Sequence, residues 1–202
     1  MASIDDNSKE ILIKIIYYGP EKSGKTHSLE YIFDKYQHKI DPSNAMIRKV
    51  GDEKIGFDYL SIEVGKVKDY TVNVHLYTVP GGEQRKAARR LILKEADGLV
   101  FVADSIVPRR DANILSINEL SNNLDSYNRK LSETPVIFQY NKRDLSEKNI
   151  PILSIEALES DLNPFEFPFF ETSSETGHNV IEVMKKIVSL TVSSIQKTFK
   201  KF

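Results

Sequence analysis

The 202-residue chain contains no cysteine and no tryptophan. Without cysteine there are no disulfides, thiolate metal sites, prenylation or palmitoylation, a composition that suits a reducing compartment. Ala2 in second position likewise excludes N-myristoylation, so no lipid anchor is expected. No apolar run approaches the length needed to span a bilayer. The opening MASIDDNSKE is polar and acidic where a secretory signal needs a basic and then an apolar segment. A surplus of charge is missing too. The formal net charge of -1 gives no global reason to expect nucleic-acid binding or non-specific adhesion to an anionic membrane, so any anion site must be local. A cytoplasmic location is expected.

What is present is the composition of one globular unit: 40% hydrophobic and 28% charged residues, enough to bury one substantial core over 1–202, with short polar ends at about 1–8 and 198–202. Ile11, Ile13, Ile15 and Tyr17 lie in a nearly continuous apolar run, as in a strand covered on both faces. From Gly24 to about Tyr36 the spacing becomes helical, with Leu29, Ile32, Phe33 and Tyr36 on one stripe. A long polar stretch, His38 to Gly56, follows with little periodicity, and a segment of that kind is usually functional. FDYLSIEV and YTVNVHLYTV read as a hairpin across a short GKVKD turn. Downstream come a helix over Arg85 to Glu95, the strand GLVFVAD, a helix over Asn113 to Leu131 and the strand PVIFQY. A short helix at Ile155 to Leu162, the strand PFFETS and a terminal helix over Asn179 to Phe199 complete the chain. The alternation predicts an α/β fold: a mainly parallel six-stranded sheet with helices on both faces, and ligands at the carboxyl ends of its strands.

Three loops at those ends carry chemistry. GPEKSGKT, Gly19 to Thr26, fits the pattern G-x-x-x-x-G-K-[ST] between a buried strand and an amphipathic helix. Backbone amides in such a loop wrap phosphate oxygens, and the following helix turns its positive end toward them. Lys25 is expected to reach the β and γ phosphates and Thr26 to bind Mg²⁺. A coincidental glycine turn is the alternative, but such a match arises in roughly 1% of chains this size and rarely between a strand and a helix. NKRD, Asn141 to Asp144, follows PVIFQY directly. A carboxylate there accepts two hydrogen bonds from guanine, whereas adenine presents an acceptor at the matching ring position. Read alone, Asn and Asp after a strand also serve ordinary turns. ETSSETG, Glu171 to Gly177, precedes the terminal helix, which its serines also suit as caps.

In this order, each after a strand, the phosphate loop, NKRD and T-S-S resemble the Ras-like small GTPases of the P-loop NTPase class, and the resemblance covers nearly the whole chain. YTVPG, GLVFVADS and QYNKRDL are similar to the MglA group of prokaryotic GTPases concerned with cell polarity and gliding. The resemblance implies a GTP/GDP switch with Mg²⁺. Gly19, Glu21, Lys22, Ser23, Gly24, Lys25, Thr26 and His27 would line the phosphates. Asn141, Lys142, Asp144 and Leu145, with Ser173 and Ser174, would hold the base. Gly81 would offer an amide to the γ phosphate, and Thr78 would approach Mg²⁺ through water.

Two departures stand out. Where the wider family has D-x-x-G-Q, this chain has Thr78, Gly81 and Gly82, and a glycine has no side chain with which to position water. Gln84 is the nearby candidate for that role. The stretch His38 to Gly56 contains no threonine for Mg²⁺; Ser43 is its one hydroxyl side chain, and in DEKIGFD, Asp52 to Asp58, Glu53 and Lys54 replace the arginine and threonine of the MglA pattern. Arg48, Lys49 and Lys54 are candidate γ-phosphate contacts or simply solvated charges. Hydrolysis is therefore expected to be slow unless a partner assists, with a roadblock-type, MglB-like regulator or a GTPase-activating protein as the expected partner. A non-hydrolysing scaffold is the other reading. Lys197, Lys200 and Lys201 either touch acidic lipid as a peripheral contact or favour the end of the last helix.

Overall fold

The computed structural model describes residues 3–40, 45–46, 58–79 and 86–199. At its centre lies β2 (Glu10–Tyr18), whose apolar run is buried on both faces as the sequence predicts. It pairs in parallel with β5 (Tyr70–Thr78) on one side and β6 (Gly98–Asp104) on the other. Beyond β6 the sheet continues in parallel through β7 (Val136–Asn141) to β8 (Phe169–Glu171). Beyond β5, β4 (Tyr59–Val67) is antiparallel, as the expected hairpin requires.

Among the described residues, two short strands extend the six-stranded sheet to eight. β3 (Ala45–Met46) adds an antiparallel edge to β4. β1 (Ser3–Asp5) lies antiparallel to β2, with Ser3 opposite Leu12 and Asp5 opposite Glu10. There is room for it because β6 joins β2 only from Ile15 onward, leaving the earlier backbone of β2 open on that side. Part of the polar leader is thereby structured.

The period-two alternation of a strand divides the core between two faces. Ile11, Ile13, Ile15 and Tyr17 pack with Leu29 and Ile32 of α1 (Lys25–Tyr36) and Val183 and Ile187 of α5 (Val180–Phe199). Ile16 and Tyr18 face the other way, toward α2 (Lys86–Lys94), α3 (Arg110–Asp125) and α4 (Ile155–Leu162), where Phe101, Phe138, Leu120 and Leu158 fill the layer. Each such side chain contributes about 1.5–3 kcal/mol when fully buried.

One helix differs from its sequence prediction. Where helical spacing suggests Asn113 to Leu131, α3 starts at Arg110 and stops at Asp125. Its start is set by a 3-10 turn, Val107–Arg109, containing Pro108. Its end is set by Asn128 at φ 53 and by the Arg129 amide donating back to the Leu124 carbonyl at 3.1 Å, a left-handed reversal after which Leu131 returns to the core in a separate turn. Among the described residues no helix is long and apolar enough to cross a membrane.

Candidate nucleotide site

The carboxyl ends of β2, β7 and β8 bring the three predicted loops together. The first begins at Gly19, at φ 145, where a Cβ would lie 2.2 Å from the Val102 carbonyl oxygen of β6. It closes at Gly24, at φ 105, where a Cβ would lie 2.1 Å from Nδ2 of Asn141. Both glycines of the motif are thus required by what stands against them as well as by their backbone angles. α1 opens directly after Gly24 with no acidic residue of its own in its first turn, where its positive end lies. Lys25 is buried, and its ammonium donates to the carbonyls of Gly19 at 2.9 Å and Pro20 at 2.6 Å. Ser23 is buried, whereas Glu21, Lys22 and His27 are exposed.

Asn141, 1% exposed, joins the three loops. Its Nδ2 donates to the Ser23 carbonyl at 2.7 Å. Its Oδ1 accepts from the Ser174 amide at 2.9 Å, the Ser174 hydroxyl at 3.1 Å and the Thr172 hydroxyl at 3.2 Å. Ser174 is further tied to α1 through Ser28, 2.8 Å away hydroxyl to hydroxyl, and Gln139 donates to Ser28 at 2.9 Å. Ser173 serves its own turn, accepting from the Thr176 amide at 3.1 Å. Lys142 sits at φ 69, and its ammonium donates to Oδ2 of Asp104 at 2.7 Å. Asp144 and the partly buried Leu145 follow on a 3-10 turn, Arg143–Lys148, with Lys148 Nζ 3.9 Å from the Asp144 carboxylate. Arg143 fixes this turn from behind, donating to Glu171 at 2.9 Å and to the Leu153 carbonyl at 2.6 Å.

A further cluster contains a residue to which the sequence alone assigns no role. Asp58, fully buried just before β4, accepts from the hydroxyls of Thr26 at 2.6 Å and Thr78 at 2.7 Å on the same oxygen. Its amide in turn donates to Thr78 Oγ1 at 2.9 Å. A carboxylate from the segment just before β4 thus lies against Thr78, the threonine that departs from the wider pattern. Thr26, Asp58 and Thr78 present oxygen only, the donor chemistry that suits Mg²⁺ beside a phosphate ligand. These residues fit the ion; Thr26 and Asp58 would hold it, with Thr78 bracing the carboxylate. Among the described residues no group of three His, Asp or Glu side chains could hold a metal without such a ligand. Gly81, Gly82 and Gln84, together with Ser43, Arg48, Lys49, Glu53 and Lys54, lie outside the described residues, as do Lys200 and Lys201.

The Ras family model matches residues 14–193, and the chain belongs to that family of small GTPases, whose members bind GTP and GDP with Mg²⁺. Within it, the chain is similar to the mutual gliding-motility protein MglA of Myxococcus xanthus (strain DK1622). The two are 36% identical over 197 residues, covering 98% of this chain and 99% of that protein.

Proposed function

We propose that the protein is a guanine-nucleotide switch that converts GTP to GDP and phosphate slowly until a partner assists. The reading is carried by Asn141, whose amide side chain binds the phosphate loop on one side and the T-S-S loop on the other. In this assignment Gly19 to His27 line the phosphates, and Lys25 exchanges its two loop carbonyls for phosphate oxygens. Asp144 reads guanine, Lys142 lies along the base, and Leu145, Ser173 and Ser174 support the pocket. Magnesium would neutralise phosphate charge at Thr26 and Asp58. Gly81 would donate its amide to the γ phosphate. Gly82 leaves the attacking water without its usual guide, a role that falls to Gln84 or to a residue inserted by the partner. Similarity to MglA makes a roadblock-type, MglB-like dimer the regulator to test first, and cell polarity in the cytoplasm the expected setting. The whole chain is assigned to one G domain.

Nucleotide released by denaturing the purified protein, identified by mass spectrometry, tests the reading. GDP or GTP is expected, and an adenine nucleotide alone would overturn it. Single-turnover phosphate release should be slow and should rise in Gly82→Gln; equal rates would remove the explanation given for Gly82. A non-hydrolysing scaffold draws support from Gly82 and the threonine-free stretch 38–56. It predicts that an MglB-like partner leaves hydrolysis unchanged and binds the GDP- and GTP-loaded forms alike.

A further inference from the structure

Arg109 ends the turn that leads β6 into α3, and it reaches the phosphate loop. Its Nη2 donates to the Glu21 carbonyl at 2.6 Å, and its Nε lies 3.5 Å from Oδ2 of Asp104. Asp104 is a rigid anchor. Its side chain is 1% exposed, the same oxygen accepts from Lys142, and Oδ1 accepts from the Ile106 amide at 3.1 Å. Asn113 grips the Asp104 backbone in both directions, accepting from its amide at 2.9 Å and donating to its carbonyl at 2.8 Å. Arg109 thus has one end on a fixed carboxylate and the other on the outer rim of the loop.

The contact at Glu21 has a geometric consequence. The peptide between Glu21 and Lys22 is trans, and the carbonyl and amide of a trans peptide point in opposite directions. With the Glu21 carbonyl held toward Arg109, the Lys22 amide must face the other side of the loop. Lys22 also sits at φ 63, a left-handed conformation uncommon for a residue with a side chain. Resting on the guanine-nucleotide reading, we infer that Arg109 is a positioning residue: by gripping the Glu21 carbonyl it keeps the Lys22 amide turned toward the β phosphate of the bound nucleotide. Backbone amides of such loops cradle the α and β phosphates, and a peptide that flips presents an oxygen instead. Arginine suits the task because its planar fork spans two acceptors, which the single ammonium of lysine does not.

The test compares GDP and GMP affinity, by competition against a fluorescent guanine nucleotide, in the wild-type protein, Arg109→Met and Arg109→Lys. Urea unfolding of the same proteins without nucleotide runs alongside. Loss of one charge-assisted hydrogen bond predicts GDP binding weakened about ten-fold or more in Arg109→Met. GMP, which has no β phosphate, should change little, and Arg109→Lys should recover only part of the loss. Unchanged GDP affinity would overturn the inference. So would GDP and GMP weakening by the same factor alongside lower stability, since that is how a purely structural role behaves. Full recovery in Arg109→Lys would overturn the two-ended grip. A wild-type protein that binds neither nucleotide would sink the nucleotide reading itself, an outcome visible before any variant is compared.

Discussion

Asp58 and Gly24 show how far the geometry of the site rests on single residues. Asp58 is buried with two hydroxyls on one carboxylate oxygen, so removing it leaves Thr26 and Thr78 without their shared acceptor. In Asp58→Ala, GDP should dissociate faster in magnesium, by roughly ten-fold for the loss of hydrogen bonds to a charged group. Chelating magnesium with EDTA should then add little, whereas in the wild type it should speed release strongly. A variant that keeps the full EDTA response would remove Asp58 from the metal site. At Gly24 a methyl group would meet the Asn141 amide and be held at a φ that side chains avoid. Gly24→Ala is expected to destabilise the fold by about 1–3 kcal/mol or more from backbone strain alone. A fall in the urea midpoint would register this, together with loss of co-purifying nucleotide.

Among the elements, the hairpin β4–β5 separates what is legible in the sequence from what only the folded register supplies. Both strands are legible from their alternation, and Thr78 stands out because it departs from a familiar pattern. Its partner is hidden by a bulge. From the turn, Val67 pairs with Tyr70 and Gly65 with Val72, but between Glu63 and Gly65 the register slips by one. Counting pairs straight along the strands would set Asp58 opposite Val79; the extra residue brings it to Thr78 instead. Lys25, Thr26 and Asn141 needed no such count, because their spacing lies within single loops. The end of α3 was likewise hidden, since Asn128 rather than glycine or proline turns the chain.

The same hairpin makes a pH prediction. His75 of β5 lies 5.2 Å edge-on from the Tyr59 ring, and desolvation, followed by the charge of Lys14, lowers its pKa from the ordinary 6.5. The unfolded chain therefore takes up this proton first, so stability is retained above 6.5 and lost as the pH falls below it, until the folded-state pKa is passed. Urea unfolding across that range should show a shallower decline in His75→Gln; an unchanged slope would mean that the proton is taken up elsewhere.

For the molecule as a whole, the site belongs to no single element. Asn141 of β7 holds the loop after β2, while Asp58 before β4 and Thr78 of β5 meet Thr26 of α1. A ligand spanning these points binds only the assembled sheet and should raise its unfolding temperature. At one hundred times its dissociation constant, GDP is expected to add about 2.7 kcal/mol. ATP at the same concentration should leave the midpoint unmoved, and a shift of equal size with ATP would count against guanine selectivity.

β1 has a practical bearing of its own. It clasps the flank of the central strand, so the leader is fastened to the middle of the molecule rather than trailing from its rim. Shortening the protein past Asp5 would strip amides and carbonyls of β2 of their partners and offer them to another copy. A reporter intended to follow this GTPase in living cells is therefore better attached after α5 than ahead of β1.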